Sequence, residues 1–327
     1  MTTPASSDAI RPPPPGTPWT VLHLLRWSTE YLEEKGVPQP RLDSELLLAH
    51  ALEMGRLDLY LHFDRPLTPD ELASFKPLLV RRAGRTPLQY VTGWTAFRDL
   101  ELRVDERALI PRPETEELVE AILSRVREWG REELAALDVG TGSGAIALSL
   151  VREGPFARVV ATDLSEEALA LARTNAEALV PGMVGLEFRR GDLLDAVGEG
   201  ERFDVVVSNL PYVSETDYRG LEPEVRDHEP RTALVAQDEG LALLRRLVQD
   251  APSVLTPGGL LALEVGTGQS DTVSGWMRGV PGLESPVVLR DLAGRDRIIL
   301  VTRSGAAAEP EPRDRPVAGI SRTKGEG

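Results

Sequence analysis

Between residues 134 and 208 the chain repeats one unit: a short apolar run that ends on an acid, a glycine or an amide, followed in most cases by a helical stretch. Leu134-Ala135-Ala136-Leu137-Asp138-Val139 reads as a first strand, Gly140-Thr141-Gly142-Ser143-Gly144 as a tight turn, and Ala145 to Val151 as the start of a helix. Arg158 to Asp163 reads as a second strand, with Ser165 as cap of a helix from Glu166 to Leu179. Leu186 to Arg190, closing on Gly191-Asp192-Leu193, makes a third, and Phe203 to Ser208 a fourth. A helix is expected over Asp238 to Asp250, with Leu241, Leu244 and Leu247 or Val248 inward. A fifth strand is expected over Gly259 to Val265, with closing strands at Val287 to Leu289 and Arg297 to Val301. Such alternation admits few solutions, and the expected one is an α/β fold with a doubly wound, Rossmann-like sheet.

Upstream the pattern is different. Val21, Leu24, Leu25, Tyr31 and Leu32 recur near a 3.6-residue period and stop at Gly36 before Pro38. A second helix is expected from about Arg41 to Gly55, a third short segment carries Leu57 to Leu61, and a fourth follows Thr68-Pro69-Asp70-Glu71. Four short helices make a small bundle. Lys76, Arg81, Arg82 and Arg85 read as a solvated face, and His23, His50 and His62 as packing or surface residues. Tyr90 to Phe97 and Leu100 to Val104 alternate like a hairpin around Arg98-Asp99. Two prolines then lead into a helix from Glu114, whose early acids suit its dipole. The expected division is a disordered tail at 1–17, a helical domain at 18–85, a linking hairpin at 86–110, a catalytic part at 111–303 and a second disordered tail at 304–327.

Composition narrows the function. Net charge is −15, almost all of it carried by 86–303, which is poorly suited to holding phosphate backbones, so no direct nucleic-acid binding is expected. There is no cysteine and no His-x-x-x-His pair, so no metal site is expected. No apolar run reaches the roughly 18 residues of a membrane span, and the N-terminus lacks a secretory pattern. A cytoplasmic monomer is the expectation.

In open α/β sheets ligands sit past the carboxyl ends of the strands. Gly140 to Gly144 would bring backbone close to a ligand, beside the free N–H groups of a helix start. Asp163, 19 residues past Gly144, is placed for ribose hydroxyls. The glycines also fit the dinucleotide pattern as Gly140-x-Gly142-x-x-Ala145, so on them alone a methyl donor and a nicotinamide cofactor stand level. Asn209-Leu210-Pro211-Tyr212 follows the fourth strand: an amide that can accept and donate, a stiff proline and a flat aromatic, suited to clamping a planar NH2-bearing group. Asn209 Oδ1 and the Leu210 carbonyl could accept its two N–H bonds, with Pro211 and Tyr212 packing its plane. A non-catalytic module that keeps the cofactor fold is the remaining alternative.

The glycine turn, the acids after strands two and three, and the amide tetrad after strand four together resemble the class I methyltransferases that use S-adenosylmethionine. That resemblance implies that Asp163 holds the ribose and that Asp192-Leu193 borders the adenine. Pro87-Leu88-Gln89-Tyr90, Leu109-Ile110-Pro111-Arg112-Pro113-Glu114-Thr115-Glu116, His228-Glu229-Pro230 and Gly294-Arg295-Asp296-Arg297 resemble the HemK/PrmC family of protein-(glutamine) methyltransferases. So does Pro40-Arg41-Leu42-Asp43 in the helical domain; the likeness spans about residues 18–303. It implies methylation of the side-chain amide of the glutamine in the Gly-Gly-Gln loop of peptide chain release factors, with the helical domain recognising the protein. The family tetrad is Asn-Pro-Pro-Tyr. Leu210 replaces its first proline, which also resembles the rRNA adenine dimethyltransferases and leaves an adenine amino group on RNA or DNA as the alternative substrate. Leucine can adopt the φ of proline, with about 0.4–1 kcal/mol less preorganisation.

Overall fold

The computed structural model describes residues 17–305, so the expected tails lie outside the described residues apart from Thr17, Ser304 and Gly305. Four helices open the chain: α1 (Val21–Glu34), α2 (Pro40–Ala51), α3 (Arg56–Leu61) and α4 (Pro69–Ala83). Thr68 Oγ1 accepts from Glu71 N while the Glu71 carboxylate accepts from Thr68 N, a reciprocal cap that starts α4. The bundle has its own core, with Val21, Leu32, Leu47, Leu48 and Phe75 buried together. Fully burying a side chain of this kind is worth about 1.5–3 kcal/mol.

The link differs from the expected hairpin. Residues 88–92 form a helical turn, α5 (Leu88–Thr92), and only β1 (Trp94–Phe97) and β2 (Leu100–Arg103) pair as strands. Leu88 and Val91, three apart, both face the bundle core, while Tyr90 turns to Val104 and Ile110 and donates to Ala108 O at 2.6 Å. Gly93, at φ 82°, ends the turn, as glycine does at helix C-termini. Tertiary contacts on two sides thus override a local period of two.

After α6 (Pro113–Trp129) come β3 (Leu134–Val139), α7 (Ala145–Glu153), β4 (Phe156–Asp163), α8 (Glu166–Leu179), β5 (Leu186–Arg190) and β6 (Phe203–Ser208). The sheet closes with β7 (Leu255–Glu264), β8 (Val287–Arg290) and β9 (Asp296–Thr302), in the order β5-β4-β3-β6-β7-β9-β8. The first five strands along that order are parallel; β9 runs antiparallel to both its neighbours. Alternate residues face opposite layers. Ala136, Val205 and Val207 pack with α6 and α7, and Leu137, Val139 and Val206 pack with Leu244, Leu247, Val273 and Met277 of two later helices, Ala242–Asp250 and Ser270–Gly279. The Ser270–Gly279 helix was not read in the sequence. The Ala242–Asp250 helix starts later than expected, because Asp238, Glu239 and Gly240 all take positive φ.

Strand order reverses between β3 and β6, and Val139 stands in register with Ser208. Ser208 Oγ donates to Val139 O at 2.5 Å. This switch point is where a doubly wound sheet opens a crevice, and it sets the glycine turn beside the amide tetrad.

The bundle is tied to the segment beyond the tetrad. Arg82, expected on a solvated face, is instead 4% exposed and bridges Asp43 at 2.7 Å and Glu224 at 3.0 Å. Arg85 adds two bonds to the same Glu224 carboxylate, at 2.7 and 2.5 Å. Glu224 lies in a helical turn, Pro223–His228, that the sequence reading left unassigned.

Candidate active site

A cavity of about 430 Å³ opens at the switch point. Gly140, Thr141, Gly142, Ser143, Asp163, Asp192, Leu193, Asn209, Leu210 and Pro211 all line it. Of the residues singled out in the sequence, Gly144 and Tyr212 do not.

The glycine turn is held from both sides. Gly140 N and Thr141 N both donate to Thr162 O at 2.9 Å, and Gly142 N donates to Asp163 Oδ2 at 2.9 Å. Asp163 Oδ1 accepts from Ser165 N at 2.9 Å. The carboxylate thus braces the turn and the start of α8 while bordering the cavity. Gly144 serves packing: at φ 87°, a Cβ there would lie 3.2 Å from that of Ala172 on α8. Beneath the turn lies Asp138, fully buried, whose Oδ2 accepts from Thr141 Oγ1 at 2.6 Å and from Ala147 N at 3.1 Å. Its Oδ1 is buried without a partner among the described residues. Burial pushes the Asp138 carboxyl up to about 7, the nearby Asp163 charge adds to the rise, and the two hydrogen bonds oppose it.

Asp192 borders the cavity with its carboxylate paired to Arg246 at 2.9 Å, and Leu193 beside it takes a φ of 51°. Leu210 is buried and keeps a negative φ. Its Cδ2 lies 3.2 Å from where a Cβ on Gly140 would stand, so the leucine packs directly under the glycine turn.

Asn209 Nδ2 donates to Thr115 Oγ1 at 2.9 Å, and Thr115 Oγ1 donates to Glu264 Oε2 at 2.7 Å. Tyr212, set back from the cavity, donates its hydroxyl to Glu264 Oε1 at 3.2 Å. Burial, then the Glu264 charge, raises the Tyr212 phenol well above its usual range, so it stays protonated. Burial also raises the Glu264 carboxyl, against the pull of Thr115, Arg297 and Tyr212. Glu229 ties two other motifs together: Ile110 N donates to its Oε2 at 3.1 Å, and Arg112 pairs with its Oε1. Thr115, Glu264, Asp138 and Glu229 were not picked out as site residues. Glu264 carried a legible sign, a lone acid closing an apolar strand, as Asp163 does.

The donor set fits an adenosyl cofactor on this structure's own terms. The glycine backbone faces the crevice, the acid after β4 borders it, and apolar walls flank both. The fold and the crevice define a class I methyltransferase that uses S-adenosylmethionine. Residues 23–93 match the model of the PrmC N-terminal domain and residues 136–228 that of a methyltransferase domain. A release factor glutamine methyltransferase of Geobacter sulfurreducens is 43% identical over 86% of this chain and 96% of its own length. One from Rhodopirellula baltica is 37% identical over 88% of this chain and 98% of its own. The chain belongs to the release factor glutamine methyltransferase family. Among solved structures, the hMettl16 catalytic domain superposes with a TM-score of 0.52 at 15% identity, covering 68% of this chain and 82% of that one, a likeness of fold alone.

Proposed function

We propose that this enzyme transfers a methyl group from S-adenosylmethionine to the side-chain amide nitrogen of the glutamine in the Gly-Gly-Gln motif of peptide chain release factors. The observation that carries the reading is the Asn209 carboxamide at the cavity wall. Its nitrogen is committed to Thr115, while no protein group among the described residues bonds its oxygen. Bound S-adenosylmethionine would supply a methyl on a positively charged sulfur and leave as the neutral thioether S-adenosylhomocysteine, with the proton displaced from the methylated nitrogen passing to solvent. Gly140 to Ser143, Asp163 and Asp192-Leu193 would hold it. Asn209 Oδ1 and the Leu210 carbonyl accept the two amide hydrogens of the substrate glutamine.

An amide nitrogen is a weak nucleophile because its lone pair is shared with the carbonyl. Two acceptors aimed at its hydrogens favour the geometry in which that lone pair points out of the amide plane. Orientation of this kind supplies several kcal/mol without a base. Pro211 packs the amide and helps exclude water, and Tyr212 braces the clamp from behind through Glu264.

The bundle α1–α4 recognises the protein around the glutamine. It is fixed to the segment after the tetrad by the Arg82 and Arg85 pairs with Glu224. The setting is a single chain acting on a translation factor in the cytoplasm. No helix among the described residues is long and apolar enough to cross a membrane.

The test is Asn209→Ala with a labelled methyl donor and a release factor as acceptor. Transfer is expected to fall about 100-fold or more with cofactor affinity little changed, the pattern of a lost transition-state contact. Turnover near wild type would discard the clamp. An RNA acceptor run in parallel should take no label.

A further inference from the structure

Three segments far apart in the chain meet behind Asn209. Thr115 enters from the first turn of α6, Glu264 from the carboxyl end of β7, and Asn209 from the loop after β6. Thr115 is 4% exposed and Glu264 1% exposed, so water does not compete for these groups. Resting on the glutamine-methylation reading above, we propose that Glu264, acting through Thr115, is the positioning group that decides which end of the Asn209 amide the substrate meets.

Both Glu264 oxygens accept, Oε1 from Tyr212 and Oε2 from Thr115, and a threonine hydroxyl has a single hydrogen to give. Glu264 Oε2 takes that hydrogen at 2.7 Å, which leaves only lone pairs of Thr115 Oγ1 facing Asn209. Of the two ends of the carboxamide, only the NH2 group can bond to a lone pair, and it does so at 2.9 Å. Oδ1 is thereby turned toward the cavity as an acceptor. Tyr212 donates to the other carboxylate oxygen and holds Glu264 from the far side, with the guanidinium of Arg297 5.9 Å from the Tyr212 ring centroid. Without the relay the two ends of the Asn209 amide become nearly equivalent to the protein. An amide turned over would present N–H groups to the N–H groups of the substrate. The relay therefore selects substrates that donate to this position, which a glutamine carboxamide does through nitrogen and a glutamate carboxylate cannot.

The experiment uses the full-length enzyme, a release factor and single-turnover methyl transfer. Thr115→Val keeps the side-chain shape and removes the hydroxyl. It is expected to lower the rate of transfer about 10- to 100-fold, the range for losing a buried bond in a charge-anchored chain, with the Kd for S-adenosylhomocysteine within about twofold of wild type. Thr115→Ser restores the hydroxyl and should recover most of the rate. The decisive arm is a double-mutant cycle. In an Asn209→Ala background Thr115→Val should cost less than about twofold, because the relay acts only through Asn209. A Thr115→Val rate near wild type, or an equal loss in both backgrounds, overturns the proposal. Thr115→Ala serves the same cycle should the valine variant not fold. If Asn209→Ala itself leaves transfer intact, the clamp reading fails first; if Asn209→Ala is damaging and Thr115→Val is not, only the relay falls.

Discussion

Each half of the crevice rests on a buried carboxylate, and the two are built differently. Asp138, under the glycine turn, is served by Thr141 and Ala147, three and nine residues away. Glu264, under the amide tetrad, is served by Tyr212 and Thr115, 52 and 149 residues away. The carboxylate under the glycine turn is thus a local device, served from within one strand-turn-helix unit. The substrate half exists only when α6, β6 and β7 are all in place. A cofactor site can be carried by a short motif, whereas the choice of acceptor is distributed over the domain.

That contrast yields separable predictions. The largest effect is expected from Asp163→Ala, which removes the acid bordering the cavity together with its bonds to Gly142 N and Ser165 N. The Kd for S-adenosylhomocysteine should rise about 30-fold or more, equivalent to about 2 kcal/mol, measured by titration calorimetry. Substrate-half variants should leave that Kd alone. An Asp163→Ala enzyme that binds normally but turns over slowly would erase the division.

The largest effect on stability, as opposed to binding, is a pH effect from Asp138. Its carboxyl is pushed up to about 7 in the folded state, against about 3.9 in an unfolded chain. The native protein therefore keeps a proton that the unfolded chain releases. The resulting stabilisation is full below about pH 3.9, declines through neutral pH and is lost above the folded value, up to about 4 kcal/mol in all. Denaturant unfolding between pH 5 and 8 should show wild-type stability falling relative to Asp138→Asn. Parallel pH profiles for the two proteins would mean that Asp138 is ionised throughout.

The smallest effect is expected from Leu210→Pro. Proline at this position gains about 0.4–1 kcal/mol of preorganisation but gives up the leucine contact under Gly140. The two should offset to within about 1 kcal/mol, with turnover changed less than about fivefold. A large gain in turnover would show that the leucine loosens the clamp.

The same contrast explains what was legible in the sequence. The β3-turn-α7 unit, the acids closing β4 and the Asn209 tetrad each announce themselves within ten residues, through burial period and turn chemistry. Thr115 does not, because a hydroxyl in a helix's first turn has meaning only beside the acid that ends β7; Glu264 shows the same strand-closing sign as Asp163, but nothing local says which group it serves. Residues 90–92 misled for a related reason: their alternation is real locally, but contacts with the bundle on one side and Val104 and Ile110 on the other decide their conformation. Arg82 looked like one charge among four and is the buried one, a distinction set by Glu224, 142 residues downstream.

The antiparallel β9 carries a consequence for biosynthesis. Glu264 stands opposite Ile298, so the strand that bears the carboxylate has an open edge until β9 has been made. The glycine turn needs no part of β9, whereas the edge of β7 beside Glu264 is covered only when residues 296–302 are in place.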